Sequence, residues 1–183
     1  MPDFLSNNIA AELAKLHKLS GVDFVRQLKN ITQMGDFKLV DGETNIYTTI
    51  SDTSPDFSNL LNAAKKAVEY GFTVYILPNP KEIRTADFIF ERKGIVKIFD
   101  LKTISGKSSV GNRLQESVGQ TNRVLLNLNV DYNTRHLATS IRHYFEISST
   151  ASEVLIFKGN KSISVTRNIA TSEGFVKMMM KKM

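Results

Sequence analysis

The chain has 183 residues, 42% apolar and 23% charged, which suits one sizeable hydrophobic core and not a disordered tail. It contains no cysteine, which excludes disulfide staples, zinc fingers and thiolate metal sites, and no apolar run reaches the roughly 20 residues that span a bilayer. With 24 Lys and Arg against 18 Asp and Glu the formal charge is +6, which favours polyanionic partners through phosphate contacts, or serves solubility alone.

The opening MPDFLSNNIAAELAKLHK lacks the basic start and apolar centre of a signal peptide, so the expected site of action is the cytoplasm. Ile9, Leu13, Leu16 and Leu19 recur at near-helical spacing and predict a helix over Ser6–Leu19. Phe24, Val25, Leu28 and Ile31 predict a second over Val22–Ile31, with Ser20-Gly21 as the break. Phe37–Val40 and Asn45–Ile50 flank Asp41-Gly42 as the strands of a hairpin would. Ser51–Ser58, rich in Ser, Asp, Thr and Pro, reads as a loop. It is the expected boundary between an N-terminal helical and hairpin appendage, 1–55, and a core domain, 56–183.

Beyond that loop a helix capped by Asp56 or Ser58 runs to Tyr70 and stops at Gly71. Strands are expected at Phe72–Leu77, fenced by Pro78 and Pro80, at Thr85–Glu91 and at Ile95–Thr103. A helix from Ser108 or Ser109 through Gln120 follows, then a strand over Arg123–Asn129 and a helix from Asn133 or Thr134 to Phe145. Val154–Phe157 and Ser162–Thr166 read as a hairpin around Gly159-Asn160, and the basic, Met-rich Phe175–Met183 as a frayed helix. The fold class is therefore α/β (α+β), with a mixed central sheet flanked by helices.

The most informative stretch is Ile95–Lys102, IVKIFDLK, with Asp87 upstream in TADFIFE. Side chains on a strand alternate, so Asp100 and Lys102 lie on one face, and a turn through Arg92-Lys93-Gly94 would bring Asp87 beside Asp100. Two carboxylates next to a lysine can hold a hard divalent cation and support a developing negative charge, the minimum for metal-assisted phosphodiester cleavage. The alternative is a solvated strand end with an ordinary surface ion pair.

The order helix, strand, strand, strand, helix, strand, with Asp87 and Asp100-x-Lys102 in place, resembles the core of the PD-(D/E)xK nuclease superfamily, a restriction-endonuclease-like fold. Over roughly Asn59 to Arg167 the chain looks like the C-terminal tRNase toxin domains of contact-dependent growth-inhibition proteins. The shared order is EYG, FTVYILP, ADFIFERKG, the D-x-K strand, a Ser-rich loop, a helix ending at Gln120 and RVLLNLN. The resemblance implies metal-dependent ribonuclease activity with tRNA as the expected substrate, with Mg²⁺ or Mn²⁺ held by Asp87, Asp100 and Glu69 and with Lys102 supporting the nucleophile or the transition state. It also implies delivery into a target cell and a cognate immunity protein. Ala86 stands where the motif's name has proline, and the second acid is aspartate.

The loop TISGKSS after Asp100 and the helix it opens form the expected nucleic-acid surface, through Lys107, Ser109, Asn112, Arg113 and Gln115, unless this is only a serine N-cap. His136 and His143 are seven residues apart on one helix, with Arg135 and Arg142 interleaved. They offer a rival, metal-independent RNA transesterification of the barnase, EndoU or colicin kind, or simply a half-buried packing face. A third reading is a non-catalytic nucleic-acid-binding module of a mobile element, using the positive charge.

Overall fold

The computed structural model describes residues 4–34, 36–49, 55–79, 85–106 and 109–183. The chain divides into two compact units, 1–99 and 100–183, whereas the loop composition pointed to a boundary near residue 55. The class is the expected one: strands and helices interleave along the chain, and each unit contains a mixed sheet with helices packed on it.

The first unit begins with α1 (Phe4–Lys15), a 3₁₀ turn over Leu16–Lys18 and α2 (Gly21–Gln33). The predicted apolar spacing is their buried stripe: Ile9, Leu13, Leu16, Leu28 and Ile31 pack with Leu77, Ala86, Ile89, Val96 and Ile98. These helices therefore lie across the sheet of the first unit. Next come β1 (Lys38–Leu39) and β2 (Ile46–Thr48), the predicted hairpin, paired Lys38 to Thr48. The expected end of this strand at Ile50, and most of the loop after it, lie outside the described residues.

The helix α3 (Phe57–Glu69) ends where Gly71 takes a φ of +81°, a left-handed value that costs glycine little. It packs on β2 and on β3 (Thr73–Ile76), which pairs β2 in parallel, so the hairpin extends the sheet of the first unit. Antiparallel to β3 lies β4 (Phe88–Arg92), and β4 in turn pairs the first half of β5 (Ile95–Ile104). Their two-residue turn has positive φ at both Lys93 and Gly94, the geometry that matches the twist of a tight hairpin.

In the second unit, the later half of β5 pairs β6 (Arg123–Leu128) in parallel, with α4 (Val110–Glu116) as the crossover. β6 pairs β7 (Glu153–Lys158) in parallel across α5 (Thr134–Ile147). β8 (Lys161–Thr166) closes the edge antiparallel to β7, as the Gly159-Asn160 turn predicts. Val124, Leu126, Leu128, Val154 and Ile156 make one apolar face, covered by Leu114, Leu137, Ile141 and Phe145.

Three expectations are corrected here. The helix α4 stops at Glu116 rather than Gln120, since Ser117 turns its hydroxyl inward and Gly119 adopts a φ of +83°. A one-turn helix, α6 (Arg167–Ala170), was not foreseen. The tail forms α7 (Phe175–Lys182), which is not frayed: Phe175 and Met179, one turn apart, are fully buried in the core. Among the described residues no helix is long and apolar enough to cross a membrane.

Candidate functional site

Alternation along β5 puts Asp100, Lys102 and Ile104 on the face that α4 and α5 cover, in register with Val124, Leu126 and Leu128. Asp100 and Lys102 do meet: Lys102 Nζ lies 3.1 Å from Asp100 Oδ2. The pair is not at a solvated strand end. Asp100 is 3% exposed and the Lys102 side chain 14%. Withdrawing two charges from water costs several kcal/mol per ion unless hydrogen bonds and mutual attraction offset it, so a buried pair is weak evidence of a stabilising role.

A third group completes the offset. Ser117, wholly buried in the turn after α4, donates its Oγ proton to Asp100 Oδ2 at 2.6 Å. Sequence reasoning missed Ser117, because the expected helix ran through it. Both contacts fall on Oδ2.

Tyr144 of α5 is 1% exposed, and its hydroxyl has no hydrogen-bond partner among the described residues. Burial, then the negative charge of Asp100, push its ionisation up to about 12, against a smaller opposing effect of Arg167. The raised value favours the protonated folded state, so the associated stability is complete below the unfolded value near 10 and is lost as pH rises towards 12. Tyr144→Phe is expected to abolish this alkaline loss and to be neutral or stabilising by up to ~1 kcal/mol at pH 7, since it removes a hydroxyl desolvated without a protein partner. Urea unfolding at pH 7 and pH 11 measures both effects.

Asp87 is half-buried just before β4; its amide donates to the Phe99 carbonyl at 3.0 Å, and its carbonyl accepts from the Leu77 amide at 2.9 Å. Glu69 is the last residue of α3 and is exposed. Among the described residues no three His, Asp or Glu groups gather as a metal-ligating set.

The expected nucleic-acid surface is partly committed to local structure. Ser109 is the N-cap of α4, its Oγ accepting from the Asn112 amide at 3.3 Å, and Arg113 pairs with Glu116 at 3.0 Å on the exposed helix face. Asn112 and Gln115 are exposed, and Lys107 lies outside the described residues, as does the side chain of His17.

The rival constellation does not assemble. His136 and His143 are exposed on α5, so they are not a packing face either; that face is Leu137, Ala138, Ile141, Tyr144 and Phe145. The nearest acid to His143 is Glu146, with Nδ1 3.5 Å from Oε2. The guanidinium of Arg142 is taken up by the carbonyls of Ala170 and Ser172, each at 3.0 Å, which fix the turn after β8.

No protein-family model matches the chain, and no curated protein matches it. Among solved structures, the chain superposes on the CdiA-CT/CdiI toxin and immunity complex from Burkholderia pseudomallei with a TM-score of 0.40 and 12% identity, over 64% of this chain and 92% of that one.

Proposed function

We propose that this protein is a metal-dependent ribonuclease whose centre is the Asp100–Lys102 pair. The observation that carries the reading is a charged pair buried at 3.1 Å on a sheet face otherwise made of aliphatic side chains. Such a pair contributes little to stability compared with an apolar replacement, and strongly desolvated charge partners are a common property of reaction centres.

A Mg²⁺ or Mn²⁺ ion at this centre would polarise a phosphate oxygen and make its bound water acidic enough to supply hydroxide. Asp100 would supply the carboxylate to that ion. Lys102 places positive charge beside the carboxylate, where it would oppose charge developing on the phosphate. The +6 chain charge supports a polyanionic substrate through phosphate contacts. That the substrate is tRNA, that the protein is a toxin acting in the cytoplasm of a target cell, and that an immunity protein opposes it, rest on the order of sequence segments.

One assay discriminates the readings. The protein is incubated with total RNA, tRNA and plasmid DNA, in Mg²⁺ and then in EDTA. The expected result is RNA cleavage in Mg²⁺ and none after chelation. Cleavage that resists EDTA would instead support the histidine mechanism, and salt-sensitive binding without cleavage a non-catalytic module.

A further inference from the structure

We infer that the exposed face of α7 is a docking surface for the phosphate backbone of RNA, formed by Lys177, Lys181 and Lys182 around Met180. The inference rests on the reading of RNA as the substrate and adds to it the place where the backbone is held.

Charge is divided unequally along the chain. Residues 1–99 hold 12 Lys and Arg and 12 Asp and Glu, while residues 100–183 hold 12 and 6, so the whole +6 falls on the second unit. Most cations of that unit are already engaged. Lys102, Arg113, Arg123 and Lys158 face carboxylates, and Arg142 and Arg167 are held by carbonyls. Lys161, at the start of β8, donates to the Met183 main-chain oxygen at 2.8 Å and so fastens the end of α7 to the sheet edge. Of those that remain, three share α7: Lys177, Lys181 and Lys182 are exposed, and among the described residues none of them meets an acid.

Helix stability does not account for these charges. A cation is favourable in the last turn of a helix, which suits Lys181 and Lys182, but unfavourable in the first, where Lys177 follows the Gly174 cap. Lys177 and Lys181, four residues apart, also repel each other along one stripe. Met180 lies beside them on that side, 56% exposed, an apolar side chain the core does not use. On the opposite side Phe175 and Met179 are fully buried, which holds the helix and its charges in place. That anchoring also decides the partner. A helix that binds a membrane surface must free its apolar face for the acyl boundary, and here the core already occupies that face. What is left is a row of ammonium groups, point charges that meet phosphate without reading sequence, with a thioether to lie against a base or ribose.

The test uses the full chain in EDTA, so that binding is read without metal-dependent cleavage, with fluorescently labelled tRNA as probe and anisotropy followed at rising KCl. For the triple variant Lys177→Gln, Lys181→Gln, Lys182→Gln, affinity is expected to fall about 10- to 100-fold at low salt. The slope of log affinity against log salt should become shallower by about 2 to 3, close to one phosphate contact per lysine. Arginine at the same three positions should bind as wild type does. Should the glutamine triple fold poorly, Lys177→Gln alone, which relieves a repulsion, is expected to flatten the slope by about 1. A control that removes equal charge from the first unit, Lys18→Gln, Lys29→Gln, Lys38→Gln, should change both quantities far less. A control loss equal to that of the α7 triple, or an α7 triple that binds like wild type, overturns the inference. So does wild-type protein that prefers phosphatidylserine vesicles or polyglutamate to tRNA. Wild-type protein that binds tRNA through α7 yet never cleaves it in Mg²⁺ refutes the ribonuclease reading and leaves this surface standing. Cleavage by the wild type that the α7 triple retains in full does the opposite, and a wild type that neither binds nor cleaves tRNA refutes both.

Discussion

Asp100→Ala is expected to lower metal-dependent RNA cleavage by about 10³-fold, with loss of Mn²⁺ binding, because it removes the carboxylate of the proposed centre. The same substitution strands Lys102, 14% exposed, beside Ser117 with no counter-charge. Breaking a buried pair from one side typically costs about 3–5 kcal/mol, less here because the lysine stem can swing its ammonium towards water. Activity and stability are therefore confounded in that single variant. The paired variant Asp100→Leu with Lys102→Met separates them: two apolar side chains of similar volume suit a face already lined by Val124 and Leu126. Its urea midpoint should return to the wild-type value or exceed it, while cleavage stays absent. A paired variant that cleaves RNA would place the chemistry elsewhere in the molecule.

Arg167→Ala is expected to cost about 3–5 kcal/mol, for a reason unrelated to catalysis. The Arg167 guanidinium donates to the carbonyls of Phe145, Ser148 and Ala151, the last at 3.1 Å, and its carbon lies 5.4 Å from the centre of the Phe145 ring. Those three carbonyls belong to the end of α5 and the turn leading into β7, where the helix can no longer satisfy them. Removing the guanidinium leaves several acceptors without a donor, each worth about 1–3 kcal/mol if it stays desolvated. Lysine at 167 should recover only part of the loss, since one ammonium cannot reproduce a planar fork. Urea denaturation measures the effect, with an unchanged slope showing that the unfolded state is the same. A loss below about 1 kcal/mol would mean that solvent reaches those carbonyls.

Much of the architecture was legible from periodicity and punctuation. The helices around Leu13 and Ile31, the hairpin at Asp41-Gly42, and the strands at Thr73–Ile76 and Ile95–Ile104 are marked by apolar spacing and by glycines that take positive φ. Less legible was whatever depends on one side chain reaching across elements. Ser117 looks like any helical serine, and its value lies in a carboxylate 17 residues earlier. Arg142 looked like a candidate for phosphate chemistry because it is interleaved with His136 and His143 on one helix, yet the carbonyls that occupy it are 28 and 30 residues away. The D-x-K alternation predicted that Asp100 and Lys102 share a face, and they do; that the face would be the buried one depended on α4 and α5 folding back over it.

Parallel strands cannot pair until the connection between them has been closed, so β5 and β6 gain nothing from each other before α4 has crossed over. Ser117 and Asp100 sit at the two ends of that closure. Their contact would then be made early, in the same kinetic event that commits the second unit to its topology, rather than being a late adjustment of a finished scaffold. Substitutions at Leu114 and Ser117 should accordingly slow refolding more than they hasten unfolding, and a chevron analysis with φ-values near zero at both positions would show the reverse sequence of events.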